Sequence, residues 1–280
     1  MARRRYAFDE DKIARFLKEG RGQGHGAAYR PWLTVQDVPS IGRVHRLRGL
    51  KTGRQHHLLS DIECHLFLLL DWMPLVRDIR EQFPLDRAAT QRIAERLGFR
   101  HPCDTATKTP LVMTTDIVVD TIRNDRLVTL ARTVKPADEL DKSRVVEKLE
   151  IERQYWAERG IDWGIVTERD LPKTIINNIK WVHSYAFLDD LSQPYDGYIA
   201  EKADLLLGEL VSKPGGLTLQ RFCADMDARL ALEAGRSLML VRHLLARKVI
   251  TCDMAEPVDD TVPISRFQVA GGIDLARASP

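Results

Sequence analysis

An aspartate and a lysine stand out in residues 113–137, MTTDIVVDTIRNDRLVTLARTVKPA, because many of the residues around them are apolar. The alternating pattern predicts two β-strands, and RND at 123–125 predicts the turn that joins them. Asp116 lies in the first predicted strand, and Lys135 ends the second next to a proline. Ionised groups in an apolar hairpin are costly unless something pairs with them. An acid and a lysine on neighbouring strands indicate a metal-dependent phosphodiesterase, in which the aspartate binds a divalent cation and the lysine orients or helps to deprotonate the attacking water.

A single carboxylate is not enough for such a site, because Mg²⁺ requires several hard oxygen ligands. Glu63 is one candidate for a second carboxylate, at the start of a helix predicted over 60–72. Ser60 and Glu63 also form the pattern of a capping box, which starts a helix without any catalytic role. The spacing alone leaves both interpretations of Glu63 open.

Glu152 is a further candidate, in a helix predicted over 141–160. Val145, Leu149, Glu152 and Trp156 follow one another at spacings of four, three and four residues, so this carboxylate lies in the apolar stripe of the helix. There it needs a cation, which the hairpin lysine or Mg²⁺ would provide. Alternatively, it lies at the edge of the stripe and pairs with Lys148 one turn back.

The elements that must position these residues alternate between helices and strands up to residue 168. The sequence predicts helices over 8–20, 60–72, 86–98 and 141–160, and strands near 32–38, 43–47, 55–59, 76–83 and 163–168 besides the hairpin. In the 60–72 helix, the predicted buried stripe is Ile62, Leu66, Leu69 and Leu70. This order predicts a mixed α/β sheet domain over residues 1–168.

The remaining residues, 169–280, have mainly helical patterns. Two amphipathic segments separated near Gly235 are followed by two short strand-like pieces, VITCDM and PISRFQV. Helix, turn, helix and β-wing is the outline of a winged-helix domain. The sequence therefore predicts an α/β protein whose mixed-sheet domain is followed by a mainly helical, winged-helix-like domain.

Composition and charge indicate a cytoplasmic protein with a basic N-terminal third. The longest apolar run, LFLLL, is far shorter than the roughly 20 residues that span a bilayer. The start, MARRRYAFDEDK, has no apolar signal region. The four cysteines are scattered, which argues against a zinc ribbon or a disulfide framework. Residues 1–60 carry 13 lysines and arginines against 5 acids, as a face that binds DNA phosphates would.

The histidines offer less support for a metal site. His56 and His57 are adjacent, so on a strand their side chains point to opposite faces and cannot chelate one ion together. His25, Tyr29 and Trp32 lie in the basic region, and this charge context is the only support for DNA contacts from them.

Several segments together resemble one known family. These are EGRGQGHG, YRPWLTVQDVPSIGRVHR, KTGRQHHLLSDIE, VRDIREQFPL, TTDIVVD, VKPA and EKLEIERQYW. In this order they closely resemble the TnsA endonucleases, the nuclease subunits of heteromeric transposases in cut-and-paste bacterial transposons. The resemblance covers about the first 170 residues almost continuously, and INNIKWVHSY extends it more loosely into the C-terminal part.

The resemblance implies a restriction-endonuclease-like N-terminal domain that uses Mg²⁺, as one or two ions for which Mn²⁺ would substitute. The implied catalytic residues are Glu63, Asp116, Lys135 and Glu152, with Glu63, Asp116 and the Val134 carbonyl as metal ligands. Such an enzyme cuts the 5′, non-transferred strands of double-stranded DNA at transposon ends. A TnsB transposase makes the 3′ cuts and joins the strands, and a TnsC ATPase regulator contacts TnsA largely through the C-terminal domain.

One residue departs from the family pattern. Thr133 stands two residues before the catalytic lysine, where the family usually has glutamine. A hydroxyl is a weaker and shorter ligand, so its contact with a metal would run through water. Thr133 is also the one feature that favours an alternative function, a catalytically weak DNA-binding or regulatory adaptor. A third hypothesis, a stand-alone restriction-type nuclease, fits the modest net charge of +2 less well.

Overall fold

The computed structural model describes residues 7–38, 43–189, 191–212 and 216–270. It divides into two compact units, Met1–Leu171 and Pro172–Pro280. The arginine run at 3–5 and part of the break at 214–216 lie outside the described residues. No helix of the described part combines the length and the apolar character needed to cross a bilayer.

The N-terminal unit alternates helices and strands, largely as the sequence predicts. Its elements are α1 (Glu10–Lys18), β1 (His45–Arg48), β2 (Gln55–Leu58), α2 (Asp61–Trp72), β3 (Val76–Pro84), α3 (Arg87–Leu97), β4 (Thr114–Arg123), β5 (Arg126–Val134), α4 (Ser143–Ala157) and β6 (Asp162–Val166). The small β1–β2 hairpin forms a sheet of its own, and β3 to β6 form the main sheet.

The main sheet is mixed and has the order β3-β4-β5-β6. β3, β4 and β5 are antiparallel neighbours, whereas β6 runs parallel to β5. The tight turn between β4 and β5 places Asn124 and Asp125 at φ 49° and 57°. A two-residue β-hairpin turn of type I′ requires positive φ at both central residues, which asparagine and aspartate tolerate. The parallel β5–β6 pair needs a crossover connection, which contains α4. The predicted α/β class is therefore confirmed.

Helices α3 and α4 bury their apolar residues against one face of this sheet. The shared core consists of Leu85, Ala89, Ile93, Ala94, Val118, Ala131, Ile151, Tyr155 and Trp156. Helix α3 begins where Asp86 accepts a hydrogen bond from the Ala89 amide, and it ends at Gly98, whose φ of 68° is a helix-terminating conformation suited to glycine. This core fixes α4, and with it Glu152, beneath the sheet.

Two local predictions in this unit are wrong. Residues 32–38 form turns instead of a strand, because Asp37 accepts hydrogen bonds from the Thr34 amide and hydroxyl and from Arg21. In α2 the buried residues are Glu63, Cys64, Leu66, Phe67, Leu68 and Asp71, whereas Ile62, Leu69 and Leu70 are only half-buried. The helix is apolar nearly all round, so periodicity could not identify its buried face.

The C-terminal unit contains α5 (Lys173–His183), α6 (Tyr198–Ser212), α7 (Leu219–Arg229), α8 (Arg236–Ala246), β7 (Ile250–Thr251) and β8 (Gln268–Val269). Strands β7 and β8 are antiparallel, and a further bridge joins Thr218 to Pro263. Helices α7 and α8 followed by this small wing have the predicted winged-helix-like layout.

Asn178 of α5 anchors the loop inside the wing. Its side-chain amide donates hydrogen bonds to the Met254 and Glu256 carbonyls at 3.0 and 2.8 Å, and its oxygen accepts one from the Val258 amide at 3.0 Å. The residue is buried, so each of these backbone groups depends on it for a partner.

We expect Asn178→Ala to destabilise the wing by about 1–3 kcal/mol, because it leaves buried backbone groups without partners. Amide hydrogen exchange over residues 252–258 should accelerate in this variant. Asn177→Ala, at the exposed neighbouring position, is the matched control and should exchange like the wild type. Equal exchange in the two variants would contradict the anchoring role.

Candidate active site

The Asp116 carboxylate lies where β4 and β5 separate. The last paired residues of these two strands are Ile117 and Arg132. Beyond them, Asp116 Oδ2 accepts a hydrogen bond from the Val134 amide at 2.7 Å. The carboxylate therefore takes over a backbone donor that the strand ladder no longer uses.

Lys135 brings its ammonium to the same carboxylate. Its Nζ lies 3.4 Å from Asp116 Oδ2 and donates a 2.7 Å hydrogen bond to the Val134 carbonyl. Asp116 is the main cause of a raised pKa for this lysine, so the ammonium stays protonated at neutral pH. The Lys135 side chain is 33% exposed, which leaves it accessible to a ligand from solvent.

Glu63 takes part in the capping box that its spacing predicts, and its carboxyl group also lies near Asp116. Ser60 caps α2 by accepting a hydrogen bond from the Glu63 amide at 3.1 Å, and Glu63 Oε1 accepts one from the same hydroxyl at 3.0 Å. Its Oε2 accepts from the Leu59 amide at 3.0 Å and from Gln82 Nε2 at 3.2 Å. Burial, followed by repulsion from Asp116, raises the pKa of this carboxyl to about 7. It therefore lies within the electrostatic reach of Asp116.

Glu152 is fully buried beneath the sheet and is held by hydroxyl groups. Its Oε1 accepts hydrogen bonds from Thr115 Oγ1 at 2.6 Å and from Thr133 Oγ1. Burial and then the charge of Asp116 raise the pKa of this carboxyl to about 7. Among the described hydrogen bonds, its partners are these threonines, and the pairing with Lys148 that the helix spacing allowed is not among them.

Thr133 is also drawn into this buried network. Its hydroxyl donates to Glu152 and accepts a 3.2 Å hydrogen bond from Trp163 Nε1, while Trp156 Nε1 donates to Thr115 Oγ1 at 2.8 Å. Thr115 and Thr133 flank Asp116 and Lys135 in sequence on the two central strands. Glu152 therefore ties both strands together directly beneath the carboxylate–lysine pair.

The donor set around Asp116 fits a divalent cation. Two carboxyl groups of raised pKa, Glu63 and Glu152, lie within the electrostatic influence of Asp116, and the Lys135 ammonium contacts Asp116. Glu63, Asp116 and the Val134 carbonyl provide hard oxygen atoms of the kind that Mg²⁺ prefers. Mg²⁺ is usually bound through one or two carboxylates and keeps several waters, which would fill the positions that these groups leave open.

A second acidic group in the described residues is less suited to a metal. Ligand atoms of His25, Asp78 and Asp120 lie within 4.8 Å of one another. However, Arg80 Nη2 donates to Asp120 Oδ1 at 2.7 Å, and Arg80 Nε lies 3.5 Å from Asp78 Oδ2. This guanidinium already compensates the two aspartates, so a metal would have to compete with it.

The charge context that suggested DNA contacts from Tyr29 and Trp32 finds no support in the structure, and one residue beside Glu63 was not predicted. Tyr29 and Trp32 are buried. Gln82 donates to Glu63, yet strand alternation gave no reason to select it. The available signal was the pair Glu81-Gln82, two adjacent polar residues in a predicted strand, one of which must face the protein interior.

Comparisons with known proteins agree on one family over both units. A model of the TnsA-like endonuclease N terminal matches residues 73–168, and a model of the TnsA endonuclease C terminal matches residues 170–254. The Transposon Tn7 transposition protein TnsA of Escherichia coli is 41% identical over 250 residues, which cover 89% of this chain and 88% of that protein.

The raised pKa of Glu152 predicts a pH-dependent stability. Because the folded-state pKa of about 7 lies above the ordinary value of 4.5, the protonated form stabilises the fold, and this contribution is lost as pH rises through 7. The side chain of the Glu152→Gln variant cannot ionise. Without metal, its free energy of unfolding should therefore fall by about 2 kcal/mol less than that of the wild type as pH rises from 5.5 to 8.

The measurement is urea unfolding at both pH values in the presence of a chelator. Glu150→Gln is the control. A hydrogen bond from Arg153 lowers the pKa of Glu150, so replacing this residue should not flatten the dependence of the free energy of unfolding on pH. A Glu152→Gln profile parallel to that of the wild type would mean that Glu152 is ionised throughout.

Proposed function

Because this chain belongs to the TnsA endonuclease family, we propose that it acts as the endonuclease subunit of a heteromeric transposase and cuts the 5′ strands at transposon ends by metal-dependent hydrolysis. The observation that carries this proposal is the contact between Asp116 and Lys135, with two high-pKa glutamates in the field of the same aspartate. Residues 1–168 would form the restriction-endonuclease-like catalytic domain.

Glu63, Asp116 and the Val134 carbonyl would hold one or two Mg²⁺ ions, and Mn²⁺ would substitute. When bound, the ion would neutralise charge on the scissile phosphate and lower the pKa of a coordinated water. Without such an ion, Glu63 and Glu152 favour protonation, because each carboxyl has a pKa of about 7. Keeping these carboxyl groups close together raises the electrostatic energy of the metal-free protein. A bound divalent cation would lower that energy.

Lys135 would act as a fixed positive charge beside the reacting phosphate. Its raised pKa keeps the ammonium protonated, which favours an electrostatic and orienting role over that of a general base. Its partial exposure allows it to reach a phosphate oxygen or the attacking water. The reaction would be an in-line attack by water, without a covalent enzyme intermediate.

Glu152 would contribute through position. Its hydrogen bonds to Thr115 and Thr133 hold the two strands that carry Asp116 and Lys135. The Thr133 hydroxyl is engaged with Glu152, so any effect of Thr133 on a metal would come from the second layer around the ligands.

The partners of this function would be double-stranded DNA at the transposon ends, a TnsB transposase that makes the 3′ cuts and joins the strands, and a TnsC ATPase regulator. Residues 169–280 would supply the partner-binding domain. The alternative is a catalytically weak adaptor of the same complex. It is favoured by Thr133, whose hydroxyl is committed to the buried network and not to the cluster around Asp116.

We expect Asp116→Ala and Lys135→Ala each to lower 5′-strand cleavage of donor DNA by about 100-fold or more, because each removes charge that the transition state requires. The measurement is Mg²⁺-dependent cleavage with the full-length protein and its partner transposase, with strand and position mapped. Lys142→Ala, which removes an exposed lysine paired with Glu139, is the control and should cut at the wild-type rate.

Three other outcomes would point elsewhere. If Lys135→Ala still cut at the wild-type rate, the role proposed for this lysine would be wrong. Absence of Mg²⁺-dependent cleavage by the wild type in the complete complex would favour the adaptor. Sequence-specific cleavage by the purified protein alone would indicate a stand-alone nuclease.

A further inference from the structure

Gln82 has an unusual backbone conformation at its position in the sheet. Its φ is 48°, in the left-handed region that residues other than glycine, asparagine and aspartate seldom adopt. The other non-glycine residues of positive φ in the described chain lie outside strands, whereas Gln82 lies within β3. Because Glu81 pairs with Ile117 and Phe83 with Thr115, Gln82 is opposite Asp116.

Both the backbone carbonyl and the side chain of Gln82 form hydrogen bonds with residues that are distant in sequence. Its carbonyl accepts a hydrogen bond from the Trp32 amide at 3.1 Å, and Trp32 is buried in a cluster with Ile13 and Phe16. Gln82 itself is only 2% exposed. A strained backbone persists when its neighbours determine it, and such residues concentrate at functional sites.

The side chain links Glu63 to the start of β4. Gln82 Nε2 donates to Glu63 Oε2 at 3.2 Å, and Gln82 Oε1 accepts from Thr114 Oγ1 at 3.2 Å. The opposite orientation of the amide would place an oxygen against the carboxylate, so these partners determine which end is the nitrogen. The carboxamide therefore spans from helix α2 to a residue two positions before Asp116.

We propose that Gln82 is a positioning residue, whose left-handed backbone directs its amide so that Glu63 is held in the orientation in which it binds a divalent cation. This inference rests on the proposed function, because it gives Glu63 the role of a metal ligand. Hydrogen bonds to ligating carboxylates orient them, and their loss typically costs 10- to 100-fold in metal affinity or activity.

The test compares metal affinity with fold stability in the full-length protein. Gln82→Met keeps the length of the side chain but removes the amide. Gln82→Asn keeps an amide and tolerates the left-handed conformation better, but it is one methylene too short to span the same two partners. Mn²⁺ binding is followed by the electron paramagnetic resonance of the free ion, and thermal unfolding is measured separately in chelator.

We expect both variants to bind Mn²⁺ about 10- to 100-fold more weakly than the wild type. Gln82→Asn should remain folded in chelator, because its easier left-handed conformation offsets part of the cost of the lost hydrogen bonds, so its Mn²⁺ affinity is measured on folded protein. Gln154→Met is the matched control, since Gln154 also donates to a glutamate, Glu150, on α4. This control should bind Mn²⁺ as the wild type does.

Wild-type Mn²⁺ affinity in Gln82→Asn would overturn the inference and leave the proposed function intact. If Gln82→Asn were too unstable to measure, Gln82→Gly, which adopts positive φ without strain, would decide between the same outcomes. A wild-type protein that binds no Mn²⁺ would instead refute the proposed metal site, and this result requires no variant.

Discussion

The site depends on the repulsion between three carboxylates that share one ammonium. Burial, and after it repulsion from Asp116, raises the pKa of Glu63 and of Glu152, and Asp116 is the main cause of the raised pKa of Lys135. If all three acids were ionised, one lysine could not balance them in a largely buried place, and unpaired buried charge is expensive. A divalent cation would remove this imbalance. The same electrostatic cost that burdens the metal-free protein would therefore give the site its affinity for metal.

At the site the strands depart from regular β structure, and a buried ionic network lies beside the irregular residues. β4 and β5 stop pairing just where Asp116 takes the Val134 amide, and Gln82 adopts a left-handed conformation opposite it. The preceding residue of β3, buried Glu81, accepts hydrogen bonds from Arg54 and His56 at 2.8 Å, and its pKa is lowered to about 2. The irregular residue thus lies beside a buried ionic network that fixes the neighbouring residue.

The sequence predicts the parts of the site that rest on local patterns. The hairpin identifies Asp116 and Lys135, and the helical stripe places Glu152 in the interior. Strict alternation fails within β4, however. Thr115 bonds to Glu152 and Trp156, while Val118, three residues on, packs in the core that includes Trp156, so the two share a face. The irregularity lies where β4 stops pairing with β5 and opposite the left-handed Gln82 of β3, and no local pattern reveals it.

The sequence was least informative where one residue serves two purposes or where tertiary packing decides. Glu63 belongs to the capping box that Ser60 begins and also lies near Asp116, so its capping pattern neither supports nor excludes metal binding. Trp32 belongs to a basic segment but is buried beside Phe16, because its aromatic ring packs in the core of this unit. In each case the deciding partner is distant in sequence.

The most direct test of the account is the position of Mn²⁺ in crystals of the full-length protein, located by anomalous scattering. The account predicts a peak within ligand distance of Glu63, Asp116 and the Val134 carbonyl, and its loss in Asp116→Ala. A peak bounded by His25, Asp78 and Asp120, with none near Asp116, would contradict it.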